Sequence, residues 1–115
     1  MVPGAPEGSN SCWHLFPVFV SPDGREHFLE YLKSRGIEAR IHYPAAIPDQ
    51  PAAASAPFES ADECLTARRI CRTEVSLPIH PYLSGADTAR VIEAVNAWRP
   101  GSIRPAGHGQ LSASR

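Results

Sequence analysis

Lysine is almost missing from these 115 residues. The one lysine, Lys33, falls in the last turn of an expected helix, where a solvated cation complements the helix dipole. An amine used for Schiff-base chemistry needs a desolvated pocket to lower its pKa, and that position does not offer one. Cysteine is scarce too, and an odd count of three argues against a disulfide framework. Cys64 and Cys71 fall on one expected helix, about 10 Å apart along its axis. That exceeds the roughly 7 Å that a disulfide spans between Cα atoms. No apolar run approaches the roughly 20 residues of a membrane span. The N-terminus has neither the basic start nor the apolar stretch of a signal peptide. An excess of charge is also lacking: a net charge of −1 and a pI near 6.5 give no electrostatic reason to expect nucleic acid or an anionic membrane as partner. A reduced, cytoplasmic protein is the expectation.

Recognisable reaction chemistry is thin as well. The five histidines and three cysteines form no CxxC, HxxxH or HExxH spacing, so no metal site is expected. There is no GxSxG elbow, and no Gly-rich loop between a strand and a helix to hold phosphate. Cys64 and Cys71 lie on an inward helix stripe, where cysteine behaves as a small hydrophobe. No residue is assigned a catalytic role.

What is present is a single small domain. Residues 1–11 (MVPGAPEGSNS) and 99–115 (RPGSIRPAGHGQLSASR) lack apolar periodicity and read as flexible tails, leaving 12–98 as the folding unit. Residues 12–20 (CWHLFPVFV) read as a strand, placed at an edge or bulged because Pro17 cannot donate to a ladder. A helix over 24–35 carries Phe28, Leu29 and Leu32 on one stripe, with Gly36 as its C′ residue. Residues 37–43 (IEARIHY) alternate, so that Ile37, Ala39, Ile41 and Tyr43 would face the core. A loop over 44–59 is long enough to be functional or disordered. Ser60 to Glu63 has the capping-box pattern for a second helix, whose buried stripe would be Cys64, Ala67 and Cys71 flanked by Leu65 and Ile70. Residues 75–81 (VSLPIHP) form a short strand or extended segment. Ser84, with Asp87 at N3, caps a third helix whose apolar face is Val91, Ile92, Val95 and Trp98. The fold class is therefore α+β, a small sheet of about three strands covered on one face by three helices.

Two segments attract functional attention. One is Gly36 to Gln50, where a strand ends in His42-Tyr43-Pro44 and could present donors to a ligand. From spacing alone, Tyr43 as core and His42 as a solvated strand residue remains open. The other is Ser76-Leu77-Pro78-Ile79-His80-Pro81, whose prolines read mainly as a rigid connection around His80.

Trp13-His14-Leu15-Phe16, Arg35-Gly36-Ile37, Ile41-His42-Tyr43-Pro44, Gln50-Pro51 and Ser76 to Pro81 occur in an order and spacing that resembles the C-terminal end of the DegT/DnrJ/StrS-type sugar aminotransferases. The resemblance covers roughly residues 12–98. It implies a fold-type-I enzyme family that uses pyridoxal phosphate to move an amino group from glutamate or glutamine to a keto group on a nucleotide-linked sugar. It also implies that a large domain, absent from this sequence, supplies the cofactor lysine and most phosphate contacts, usually within a homodimer. On that resemblance His42 and Tyr43 are candidate substrate contacts in the sugar-nucleotide cleft, and no cofactor is expected to bind this chain alone. The partners implied are the cofactor-bearing large domain or a family homodimer, and the nucleotide sugar. Two departures are visible. Ala46-Ile47-Pro48 stands where many relatives read Pro-Leu-His, and Pro17 interrupts a usually unbroken strand. A free-standing, non-catalytic binding or regulatory module derived from that domain is the alternative.

Overall fold

A computed structural model describes residues 4, 6–55, 57, 59 and 62–100. Residues 101–115 of the expected tail over 99–115, and Ser60 of the expected capping box, lie outside the described residues. Strand β1 (Phe16–Phe19) leads through a 3-10 turn at Pro22–Gly24 into helix α1 (Arg25–Ser34). After a long excursion come helix α2 (Leu65–Thr73), strand β2 (Glu74–Leu77) and helix α3 (Gly85–Ala97).

β1 and β2 pair antiparallel, with Phe16 opposite Leu77, Pro17 opposite Ser76 and Val18 opposite Val75. This register explains how a proline sits inside a strand. Ser76 directs its N–H and C=O away from β1, to Arg40, at 2.7 and 3.0 Å. Ser76 and Pro17 are therefore a non-hydrogen-bonded pair, and the missing Pro17 N–H would have faced outward. β1 is the edge strand that its proline predicts.

Period-two alternation puts Phe16, Val18, Val75 and Leu77 on one face of the sheet and Glu74 and Ser76 on the other. The first face meets α1 and α3. Phe28, Leu32 and Val75 are fully buried there, joined by Tyr31, Ile37 and Ala94. Trp98 closes this core with its ring centroid 4.9 Å from that of Phe28. The Tyr31 hydroxyl donates to the Ala94 carbonyl at 3.1 Å, linking α1 to α3.

α1 stops where its glycine predicts. Gly36 has φ +69, its N–H donates to the Lys33 carbonyl at 2.9 Å, and the Ile37 N–H reaches the Leu32 carbonyl at 3.0 Å. That is a Schellman motif, and it delivers Ile37 straight into the core. α3 begins as expected: Ser84 Oγ accepts from the Asp87 N–H, and the Asp87 carboxylate accepts from the Ser84 N–H and hydroxyl.

Four expectations need correction. The third strand contributes one bridge, Arg40 to Ser76, and stops. Tyr43 is 76% exposed, with φ +57, rather than core-facing. The left-handed turn ends the alternation that would have carried its ring inward. The second helix starts at Leu65 after a left-handed Cys64, with no side-chain cap, and buries no residue. Leu65 is 66% exposed and Ala67 is also at the surface, while Cys64 and Cys71 are only half-buried. The stripe exists in the sequence, but in this chain α2 packs mainly along β1. The Arg25 guanidinium also ties it to α1 through the Cys71 carbonyl at 2.6 Å. Ile92 on α3 is likewise 55% exposed, and the unremarked Ala94 is the most buried residue of that helix.

Candidate functional site

The segment from Gly36 to Gln50 leaves the sheet edge after Arg40 and folds into 3-10 turns at Ile47–Asp49 and Pro51–Ser55. These turns are held rather than loose. Arg68 on α2 donates from Nε to both Asp49 carboxylate oxygens, at 3.1 and 3.0 Å, and from Nη1 to the Glu63 carbonyl at 2.7 Å. The hydrogen bond to Asp49, reinforced by its charge, raises the pKa of the Arg68 guanidinium. Ala46 is buried, and Pro48, where the resemblance sets a histidine in many relatives, offers no side-chain donor.

A cavity of about 510 Å³ lies beside this exit, between the residues that precede β1, the Gly36–His42 segment and the start of α3. His14, Arg40, His42, His80 and Arg90 bring five nitrogen-bearing side chains to its wall, with Glu38 and Asp87 opposite in charge. His42 is half-buried. Its backbone N–H donates to Oε2 of Glu74 at 3.0 Å, and its ring Nδ1 is buried without a hydrogen-bond partner. Buried ring nitrogens normally find a partner. Arg40 is paired to Glu38 two residues back, an exposed contact that raises the guanidinium's pKa, first by hydrogen bonding and then by charge. Such a pair contributes little stability but leaves other guanidinium donors at the cavity wall. His80 is at the rim, where its Nδ1 accepts from the Tyr82 N–H at 3.2 Å.

The two residues singled out from the sequence therefore part company. His42 lines the cavity and Tyr43 stands outside it in solvent. Sequence reasoning missed His14, Arg40 and Arg90 as cavity residues, and Glu74 as the anchor of His42. Only the tertiary fold places them together, because they come from four separate segments.

A second cavity of about 490 Å³ is apolar and runs between the sheet's core face and α3, lined by Phe16, Val18, Leu77, Val91, Ile92 and Val95. Among the described residues no group of three or more His, Cys, Asp or Glu is arranged to hold a metal ion. No described helix is long and apolar enough to cross a membrane.

The residues present do not fit pyridoxal phosphate. Lys33 is exposed on α1, in a shallow depression beside Glu26 and Glu30. It is not desolvated, and neither the polar nor the apolar cavity contains a lysine.

A family model described as the DegT/DnrJ/EryC1/StrS aminotransferase family matches residues 1–96. A similar relative is the dTDP-3-amino-3,4,6-trideoxy-alpha-D-glucose transaminase of Streptomyces venezuelae, 38% identical over 87 residues that cover 75% of this chain and 22% of that protein. The dTDP-3-amino-3,6-dideoxy-alpha-D-galactopyranose transaminase of Aneurinibacillus thermoaerophilus is 38% identical over 86 residues, again 75% of this chain and 22% of the relative. The crystal structure of S. venezuelae DesV in complex with a ketimine intermediate superposes with a TM-score of 0.72 at 35% identity, covering 84% of this chain and 25% of that one. The chain thus spans about a quarter or less of the relatives it matches.

Proposed function

Because the chain belongs to the DegT/DnrJ/EryC1/StrS aminotransferase family, we propose that it serves as the C-terminal portion of an enzyme that aminates a nucleotide-linked keto sugar, with glutamate or glutamine as donor. The observation that carries this reading is the match of three-quarters of the chain to two dTDP-sugar transaminases. Pyridoxal phosphate supplies the electron sink for amino transfer in this family. With one exposed lysine, this chain leaves the holding of that cofactor to a larger domain.

In this reading His42 and Tyr43 form part of the wall of the sugar-nucleotide cleft. The unpartnered His42 Nδ1 supports it, since a group from outside the chain can meet that nitrogen. His42 would then orient the substrate by hydrogen bonding, and Tyr43, projecting beyond the domain surface, would reach the ligand only when the larger domain is docked. Acting alone, the chain performs no transamination.

Reconstitution tests this directly. The purified chain, incubated with pyridoxal phosphate and borohydride, is expected to yield no cofactor-labelled Lys33. Combined with a cofactor-bearing partner of the same family, glutamate and a nucleotide-linked keto sugar, it is expected to yield the amino sugar. Labelling of Lys33 together with turnover by the chain alone overturns the reading. So does a tight, stoichiometric ligand complex of the isolated chain that excludes any cofactor-bearing partner, which points instead to a free-standing module.

A further inference from the structure

The bridge between Arg40 and Ser76 fixes a register, and that register makes a demand two residues further on. In an antiparallel ladder the next hydrogen-bonded pair after Arg40 and Ser76 is His42 and Glu74. That rung does not form in the usual way. The Glu74 N–H is already donated to the Ile70 carbonyl, because β2 follows α2 without an intervening residue. The His42 N–H is instead taken by the Glu74 side chain, at 3.0 Å to Oε2. The other carboxylate oxygen accepts from the Ser76 hydroxyl.

Glu74 is 6% exposed, and among the described residues no cationic side chain forms an ion pair with it. A buried carboxylate held by two neutral donors is an unfavourable choice for stability alone, since desolvation is offset only in part. The β2 ladder does not require it either: Glu74 points to the face opposite Val75, away from the apolar core. Among the described residues, the one long-range hydrogen bond of its side chain is accepted from the His42 backbone N–H.

We propose that Glu74 is a positioning residue for the ligand-facing wall. By capturing the His42 N–H it ends the third strand after a single bridge. The chain then turns through the left-handed Tyr43 with the His42 ring left in the polar cavity. The ligand-facing part of this proposal rests on the reading of His42 and Tyr43 as cleft wall; the backbone part does not.

Amide hydrogen exchange of the full chain by NMR tests it, with Glu74→Ala and Glu74→Gln as the perturbations. In Glu74→Ala, exchange at the His42 amide is expected to accelerate about tenfold or more, the scale of losing one hydrogen bond to a charged group. The Arg40 and Val20 amides, bonded to the Ser76 and Thr73 carbonyls, are expected to stay within about twofold. Glu74→Gln keeps an acceptor oxygen of the same reach and is expected to restore His42 protection. In the reconstituted aminotransferase, Glu74→Ala is expected to raise KM for the nucleotide sugar several-fold while kcat changes little. Unchanged His42 exchange, or acceleration shared equally by Arg40, overturns the proposal. A His42-selective acceleration with unaltered KM upholds the backbone anchor and overturns the cleft reading instead. Should Glu74→Ala fail to fold, the wild-type chain still decides. A through-hydrogen-bond coupling between the His42 nitrogen and the Glu74 carboxylate carbon is expected, and its absence overturns the proposal.

Discussion

Replacing Gly36 by alanine probes the hinge from which the Gly36–His42 segment departs. At φ +69 an L-residue with a Cβ is strained by about 1–2 kcal/mol. The added Cβ would also lie 2.9 Å from Nη2 of Arg90. That atom is the far end of a flexible side chain, so it swings away instead of forcing the backbone apart. Moving it forfeits the hydrogen bond from Arg90 Nη2 to the Arg35 carbonyl at 2.9 Å. An exposed bond of this kind contributes about 0.5–1 kcal/mol. The stiffer unfolded chain returns about 0.4–1 kcal/mol, leaving a net loss of about 1–2 kcal/mol. For a domain of this size that corresponds to a fall of roughly 4–16 °C in Tm. Urea titration followed by tryptophan fluorescence is a suitable assay, because Trp98 packs on Phe28 in the core. Gly36→Asn should lose less than Gly36→Ala, since asparagine tolerates the left-handed region. In an Arg90→Ala background the penalty of Gly36→Ala should shrink by no more than about 1 kcal/mol, the share carried by the displaced guanidinium. A Gly36→Ala chain within about 0.3 kcal/mol of wild type refutes the backbone argument. An asparagine variant less stable than the alanine one does the same.

Tyr31→Phe removes the hydroxyl that reaches the Ala94 carbonyl, but that carbonyl keeps the Trp98 N–H, so the expected loss is only about 1 kcal/mol by denaturant titration. A loss above about 3 kcal/mol would show that the ring itself is displaced. At α3 the Ser84 hydroxyl, and after it the Ser84 backbone N–H, hold the Asp87 carboxyl below its usual pKa. A folded-state pKa that is depressed gives stability that is present above the unfolded value and is lost as pH falls through the folded one. Ser84→Ala should therefore lower Tm at neutral pH and flatten the loss of stability on acidification below the ordinary aspartate range. Parallel acid limbs for variant and wild type in thermal melts would count against this capping contribution.

Local rules made much of the fold legible. A glycine after a helical stripe, a serine three residues before an aspartate and a proline in an apolar run each act through the backbone of their immediate neighbours. Gly36, the Ser84–Asp87 box and the edge position of Pro17 accordingly stand where the sequence puts them. The order of motifs was equally legible, and the family follows from it. The α2 stripe was readable as a pattern but misleading as a burial, because periodicity says which side chains share a face and not whether anything covers that face.

The sequence by itself determined the order of the three helices and the two paired strands, and the family. Tertiary structure alone decided what becomes of residues 41–43. Alternation extends the strand through Tyr43, and nothing local interrupts it. The interruption comes from Glu74, thirty-two residues away, whose N–H is consumed by the end of α2 and whose carboxylate takes the His42 amide in place of a ladder rung. Competition between a backbone acceptor and a side-chain acceptor for one N–H is settled by which is nearer once the chain has folded. That outcome leaves His42 in the cavity and Tyr43 in solvent.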